Sequence, residues 1–158
     1  MYPEHSIARH IEALTFTLGD EEYAVSILTV QEIRGYGAVT SIANAPAFVK
    51  GVINLRGMIV PIVDMRILLG DNQPSYNEFV AVIVLTVSGN TAGIVVDGVS
   101  DVVTLKPEQI KPAPGIATSS ANADYVIGLG TINDRMLILV DMDKLMDRAN
   151  FSLIEAAA

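Results

Sequence analysis

A mainly β architecture of two small barrels is predicted by three features of the sequence. Short runs rich in Val, Ile and Leu are bounded by Gly, Asn and Asp; the pattern recurs once along the chain; and little of it has helical spacing. Residues 14–18 alternate in the manner of a half-buried strand, 19–22 (Gly-Asp-Glu-Glu) turn, and Tyr23-Ala24-Val25 resume, which is a hairpin signature. Further on, 52–55 and 58–63 flank Arg56-Gly57, a candidate two-residue hairpin turn. Asp64 stands where the strand pattern stops and 65–69 begin, so its carboxylate is placed to cap a short helix that Gly70 ends.

The second half reads the same way. The longest apolar stretch, 79–87, is less than half the roughly 20 residues a membrane-spanning helix needs, and its Val and Ile content favours a buried strand. Within it 83–87, the turn 88–90 and 91–96 form another hairpin; 129–132 and 135–140 flank Asn133-Asp134, and Asp141 is placed to cap a helix over 142–146. The interval from Gly51 to Gly128 equals that from Asp64 to Asp141, without a gap between those anchors. The earlier block aligns at a shorter offset, so that Val25, Val30, Glu32 and Ile33 fall on Ile94, Val99, Asp101 and Val102. An insertion must separate the blocks, and the Pro-, Ala-, Ser- and Asn-rich 111–124 is its natural place, read as a mobile loop.

About five strands per unit suit a small closed barrel, which removes exposed sheet edges. The expected organisation is one unit over 1–158 made of two barrels, 14–70 and 83–147, with exchange of strands left open and flexible tails at 1–11 and 149–158.

Composition narrows the function. Half the residues are apolar, enough for a packed interior, and a net charge of −8 without basic clusters disfavours nucleic acid and direct membrane insertion. No leader peptide is read at the start, so a cytoplasmic location is expected. The lack of Cys removes disulfides, thiolate metal sites and thiol nucleophiles. His5 and His10 fall outside both repeats, and each Asp has a cap or turn explanation, so no catalytic residue, metal site or cofactor is expected. A barrel binding a small ligand or oligonucleotide is the alternative; it would need an aromatic, basic face, and the chain has four Phe, five Tyr and no Trp.

The motifs Val30-Gln31-Glu32-Ile33-Arg34, Gly51-Val52-Ile53-Asn54-Leu55-Arg56-Gly57, Val60-Pro61-Ile62-Val63-Asp64, Gly93-Ile94-Val95-Val96-Asp97 and Met136-Leu137-Ile138-Leu139-Val140-Asp141 occur in this order. As a set they resemble the CheW family over about 14–145. The resemblance implies a pair of five-stranded barrels of the SH3-like or OB-like kind around a hydrophobic core, without catalytic activity. It also implies a chemotaxis adaptor that links the regulatory domain of the histidine kinase CheA to the cytoplasmic tips of methyl-accepting chemotaxis receptors, with the receptor tip in the groove between barrels.

Carried over by position, Glu32 and Arg56 are the charges tied to function; Val30, Gly51, Gly57 and Gly93 match sensitive positions, and Val30 and Ile33 are groove residues. On the strand pattern alone, Glu32 shares a face with Val30 and Arg34, and its plain reading is a solvated charge balanced by Arg34. The sharper reading pairs it with Arg56 across neighbouring strands, confined to one barrel because the second copy has Asn133 in place of Arg56. Gly51, with Gly128 as its counterpart, and Gly57 are expected to meet backbone demands first.

Overall fold

Alternate residues of the first strand serve different cores. In β1 (Ile11–Leu18), Leu14, Phe16 and Leu18 enter a core shared between two sheets, while Ile11 and Ala13 enter a second core behind it. The structure is a computed structural model that describes residues 10–71, 73–112 and 125–147. After β1 come β2 (Glu21–Ser26), β3 (Val30–Gly35), β4 (Val49–Leu55), β5 (Met58–Asp64), the short helix α1 (Met65–Leu68), β6 (Ala81–Val87), β7 (Asn90–Val96) and β8 (Gly98–Leu105). The two-residue strand β9 (Ile110–Lys111), β10 (Val126–Ile132), β11 (Arg135–Val140) and a helix over 142–147 follow.

The strands form two sheets, ordered β8-β1-β2-β11-β10-β9 and β3-β6-β7-β5-β4. Apart from β9, the orders correspond strand for strand under the two sequence offsets. Each sheet also contains one parallel ladder, and these correspond too: Leu139 pairs with Ala24, and Ile62, the repeat counterpart of Leu139, pairs with Gly93, the counterpart of Ala24. Each sheet therefore takes its first hairpin from the other half of the chain. The core between the sheets unites Leu14, Phe16 and Val25 with Ile83, Leu85 and Ile94, and the helices add Met65, Met142 and Leu145. Behind it, Ala24, Leu105 and Leu137 pack within the first sheet, and Val60, Ile62 and Val84 within the second.

Several local expectations need correction. The first strand begins at Ile11, which is buried and pairs with Leu105. The apolar run 79–87 is strand only from Ala81: the Asn77 side chain accepts the Phe79 N–H in a turn, leaving Phe79 exposed. Lys111 belongs to a strand that pairs with Leu129, while 113–124 lie outside the described residues. A β-bulge between Val30 and Glu32 shifts the register against β6, so that Val30 opposes Leu85 and Glu32 opposes Val84. By that register Val30 shares a face with Ile33, and Glu32 shares the opposite face with Arg34.

Among the described residues no ladder joins the two outer strands of either sheet. In the second sheet the chain after β3 crosses to the far edge, where Thr40 and Val52 exchange hydrogen bonds of 2.9 Å. Gly51, at φ 142°, lies under this crossing, and a Cβ there would overlap the Thr40 carbonyl oxygen. Gly128 meets the same demand beneath the Lys111 carbonyl, 2.6 Å from where its Cβ would stand. Gly93 is interior to its sheet, where a Cβ would come within 2.7 Å of Ile62 Cδ1 and 2.8 Å of Val82 Cγ1.

One end of the junction between sheets holds a buried ion cluster. Asp64 caps α1 by accepting the Arg66 N–H, and its carboxylate also receives Arg66 Nε at 3.0 Å and Nη2 at 2.8 Å. The Tyr76 hydroxyl donates to the same carboxylate at 2.7 Å. Arg66 Nη1 reaches the Ser75 carbonyl and, at 3.0 Å, Asp97 Oδ1; Asp97 Oδ2 in turn accepts the Gly19 N–H at 2.7 Å. The Asp64 and Arg66 side chains are 0% and 1% exposed. Burial pushes the Asp64 carboxyl up, but the hydrogen bonds from Arg66 and Tyr76 outweigh it and hold the group below its ordinary value. Burial and the bond to Asp64 push the Tyr76 hydroxyl up to about 12.

These features have measurable consequences. Gly93→Ala should cost about 1–3 kcal/mol through overpacking, and Gly51→Ala should cost more because backbone rather than side chain must move; urea melts compare the two. A folded carboxyl value held below the unfolded one means that Asp64 contributes stability that is complete above about pH 4 and is lost as pH falls through the folded value. Tyr76→Phe, which removes one donor, should therefore shrink the acid-dependent loss of stability, checked by denaturant titrations from neutral pH into acid. Identical acid profiles for the two proteins would contradict this.

Candidate functional site

Glu32 and Arg56 meet across a gap rather than along a ladder. Glu32 lies on β3 and Arg56 in the β4–β5 turn, at opposite edges of the five-stranded order, yet Arg56 Nη2 donates to Glu32 Oε1 at 2.7 Å. The pair thus brings the two edges of the sheet together, and the neighbouring-strand geometry expected from sequence is replaced by this cross-edge contact.

The turn beneath Arg56 explains its direction. Arg56 and Gly57 both have positive φ, 51° and 90°, the pattern of a type I′ hairpin, and the Gly57 N–H is held by Asn54 Oδ1 at 2.7 Å. The equivalent turn has Asn133 at φ 48° and Asp134 at φ 66°. Asn tolerates this region well because its short polar side chain fits locally, whereas a long side chain such as Arg gains nothing from it. Arg56 is 74% exposed while Glu32 is 28% exposed, so the guanidinium projects outward with donors to spare.

Around this pair the other expected residues separate into groups. Gly57 sits in the same turn. Val30 is half-buried against the core between the sheets, and Ile33, on the same face of β3, is 46% exposed. Gly51 and Gly93 lie under the Thr40 crossing and inside the sheet, respectively, so the structure gives each a packing constraint and no place beside the charge pair.

An acid–arginine contact also occurs in the other sheet, built from different positions. Asp101, the repeat counterpart of Glu32, receives Arg135 at 2.9 and 3.1 Å and the Thr15 hydroxyl. Arg135, the counterpart of Met58 rather than of Arg56, also donates to Glu22 at 2.6 Å. Bonds from Arg135 and then Thr15 hold the Asp101 carboxyl below its ordinary value, and the bonds to Glu22 and Asp101 raise Arg135. Charge pairing is therefore present in both sheets; among the described residues Arg135 is paired with two carboxylates and Arg56 with one.

Sequence reasoning missed the Asp64–Arg66–Asp97 cluster and the Arg135 cluster. A signal for the first was available: Arg66 has Asp143 as its repeat counterpart and Asp97 has Leu28, so both depart from the internal repeat. Tyr76, tilted against Tyr36 with ring centroids 5.0 Å apart and beneath Lys50 Nζ at 5.2 Å, gave no periodic signal. Among the described residues no group of three His, Cys, Asp or Glu could hold a metal ion, and no helix is long and apolar enough to cross a membrane.

Comparison with known proteins agrees with the geometry. A family model described as CheW-like domain matches residues 12–150. The chain is 54% identical over 147 residues to the chemotaxis protein CheW of Klebsiella aerogenes, covering 93% of this chain and 88% of that protein. It is 40% identical over 132 residues to the chemotaxis protein CheW of Rhizobium meliloti, covering 84% of each. The crystal structure of the scaffolding protein TtCheW from Thermoanaerobacter tengcongensis superimposes with a TM-score of 0.76 at 28% identity, covering 83% of this chain and 88% of that one. With a model match across most of its length, close relatives covered nearly end to end and the same two-sheet fold, the chain belongs to the CheW-like domain family of chemotaxis scaffold proteins.

Proposed function

We propose that the chain is a non-enzymatic cytoplasmic adaptor that couples the regulatory domain of the histidine kinase CheA to the cytoplasmic tips of methyl-accepting chemotaxis receptors, in arrays at the inner face of the membrane. Its task is simultaneous contact with two proteins, and two sheets with separate outer faces suit it. The Glu32–Arg56 pair and the Gly57 turn form the charged centre of one partner surface; Val30 and Ile33, on the opposite face of β3, border the groove between the sheets, and Gly51 and Gly93 act through the backbone they shape. The observation that carries this is the placement of Arg56: a long cation in a left-handed turn position, projecting from the surface with donors left over.

Energetics separate this reading from a merely solvated charge. An exposed ion pair contributes about 0–1 kcal/mol to folding, whereas cutting one partner of a charge pair buried on association costs about 2–5 kcal/mol of binding. Glu32→Ala and Arg56→Ala should each weaken a pull-down of the kinase regulatory domain or of receptor tips far more than they lower Tm. In the double variant the binding losses should be less than additive, because either single change already breaks the pair. Intact binding of both partners alongside a lowered Tm would reject this surface.

A further inference from the structure

Arg66 touches neither face of the proposed adaptor, yet it occupies the place where the two sheets meet. Its guanidinium holds four acceptor oxygens from three parts of the chain: both carboxylate oxygens of Asp64 at the end of β5, the Ser75 carbonyl of the segment connecting the halves, and Asp97 Oδ1 between β7 and β8. Asp97 passes the connection to the β1–β2 turn through the Gly19 N–H. Tyr76, fixed by Asp64 and lying 4.8 Å beneath the guanidinium, packs on Tyr36, the residue after β3. A continuous path of contacts thus runs from the strand carrying Glu32 to the turn of the opposite sheet.

The fold itself does not require this cluster. The other half has the same strand order, the same parallel ladder and the same capping Asp, but Arg66 is replaced there by Asp143, which accepts one bond from the Ser88 hydroxyl at 2.6 Å. Leu28, in place of Asp97, is 90% exposed. Stability alone is also a poor explanation, since a buried ion pair recovers little more than the cost of desolvating it. Nor does close packing fix this end of the junction: a cleft of about 180 Å³ lies between Leu18, Glu21 and Tyr23 on one side and Arg66, Leu69 and Asp71 on the other.

We propose that Arg66 is a positioning residue that sets the angle between the two sheets, and thereby the width of the groove a partner must fit when it touches both. The structural half of this inference stands alone; the binding half rests on the adaptor reading. A partner seated on one sheet is indifferent to the angle, and a partner spanning both is not.

The absence of Cys makes a direct test simple, because Glu12→Cys on β1 and Arg34→Cys on β3, both exposed, can be spin-labelled without background. Distance distributions from electron-spin dipolar coupling should be narrow in the parent and broad in Asp97→Asn, Tyr76→Phe and Arg66→Leu. The first two variants leave Asp64 and Arg66 paired, so they test the inference even if Arg66→Leu does not fold. With native Glu12 and Arg34 restored, Asp97→Asn should lose about ten-fold in affinity for one partner, equivalent to about 1.4 kcal/mol, and bind the other as the parent does. Unchanged distance distributions with a lowered Tm would reduce Arg66 to a stabilising role and overturn the inference, as would equal loss for both partners. If the parent binds neither partner, the adaptor reading fails, and the distance measurement still decides whether Arg66 sets the angle.

Discussion

Two parallel ladders, β2 with β11 and β5 with β7, are the constraint on which the remaining geometry depends. Parallel neighbours cannot be joined by a tight turn, so the chain must leave one sheet and return to it after building part of the other. The first hairpin of each half is thereby committed to the opposite sheet, and its inward face must be covered by residues from both. Phe16 and Leu14 meet Ile83 and Leu85 for this reason. So does the half-buried position of Val30, at the point where the chain passes from one sheet into the other.

The strands and turns were legible because they depend on local chemistry. Alternation in β1, the Asn133-Asp134 turn and the capping positions of Asp64 and Asp141 all follow from spacing and from the conformations those residues tolerate. Partnership between strands was less so: an internal repeat shows that two units exist, and says nothing of which sheet each hairpin joins, because either choice buries the same apolar faces. The bulge at Gln31 was invisible for a related reason, since it leaves the residue types of β3 unchanged and alters only which of them face together.

The candidate site divides along the same line. Glu32 and Arg56 were found by resemblance, and their direct contact depends on the curvature of the sheet, which sequence spacing does not encode. Arg66 escaped notice because a lone Arg two residues after a helix cap resembles any surface cation; only burial reveals it as the centre of a network. In both clusters the departures from internal symmetry, Arg56 against Asn133 and Arg66 against Asp143, mark the places where the two halves have taken up different work.

The pairing of Ala24 with Leu139 also has a consequence during synthesis. The ribosome releases the β1–β2 hairpin well before its parallel neighbour β11, a delay on the order of ten seconds at ordinary translation rates. Until β6 and β7 emerge, Phe16 and Leu14 lack Ile83, Leu85 and Ile94, and until β11 emerges the hairpin lacks its parallel partner. The nascent polypeptide is therefore most prone to aggregate before its second half has emerged, and a holding chaperone would act on the β1–β2 hairpin.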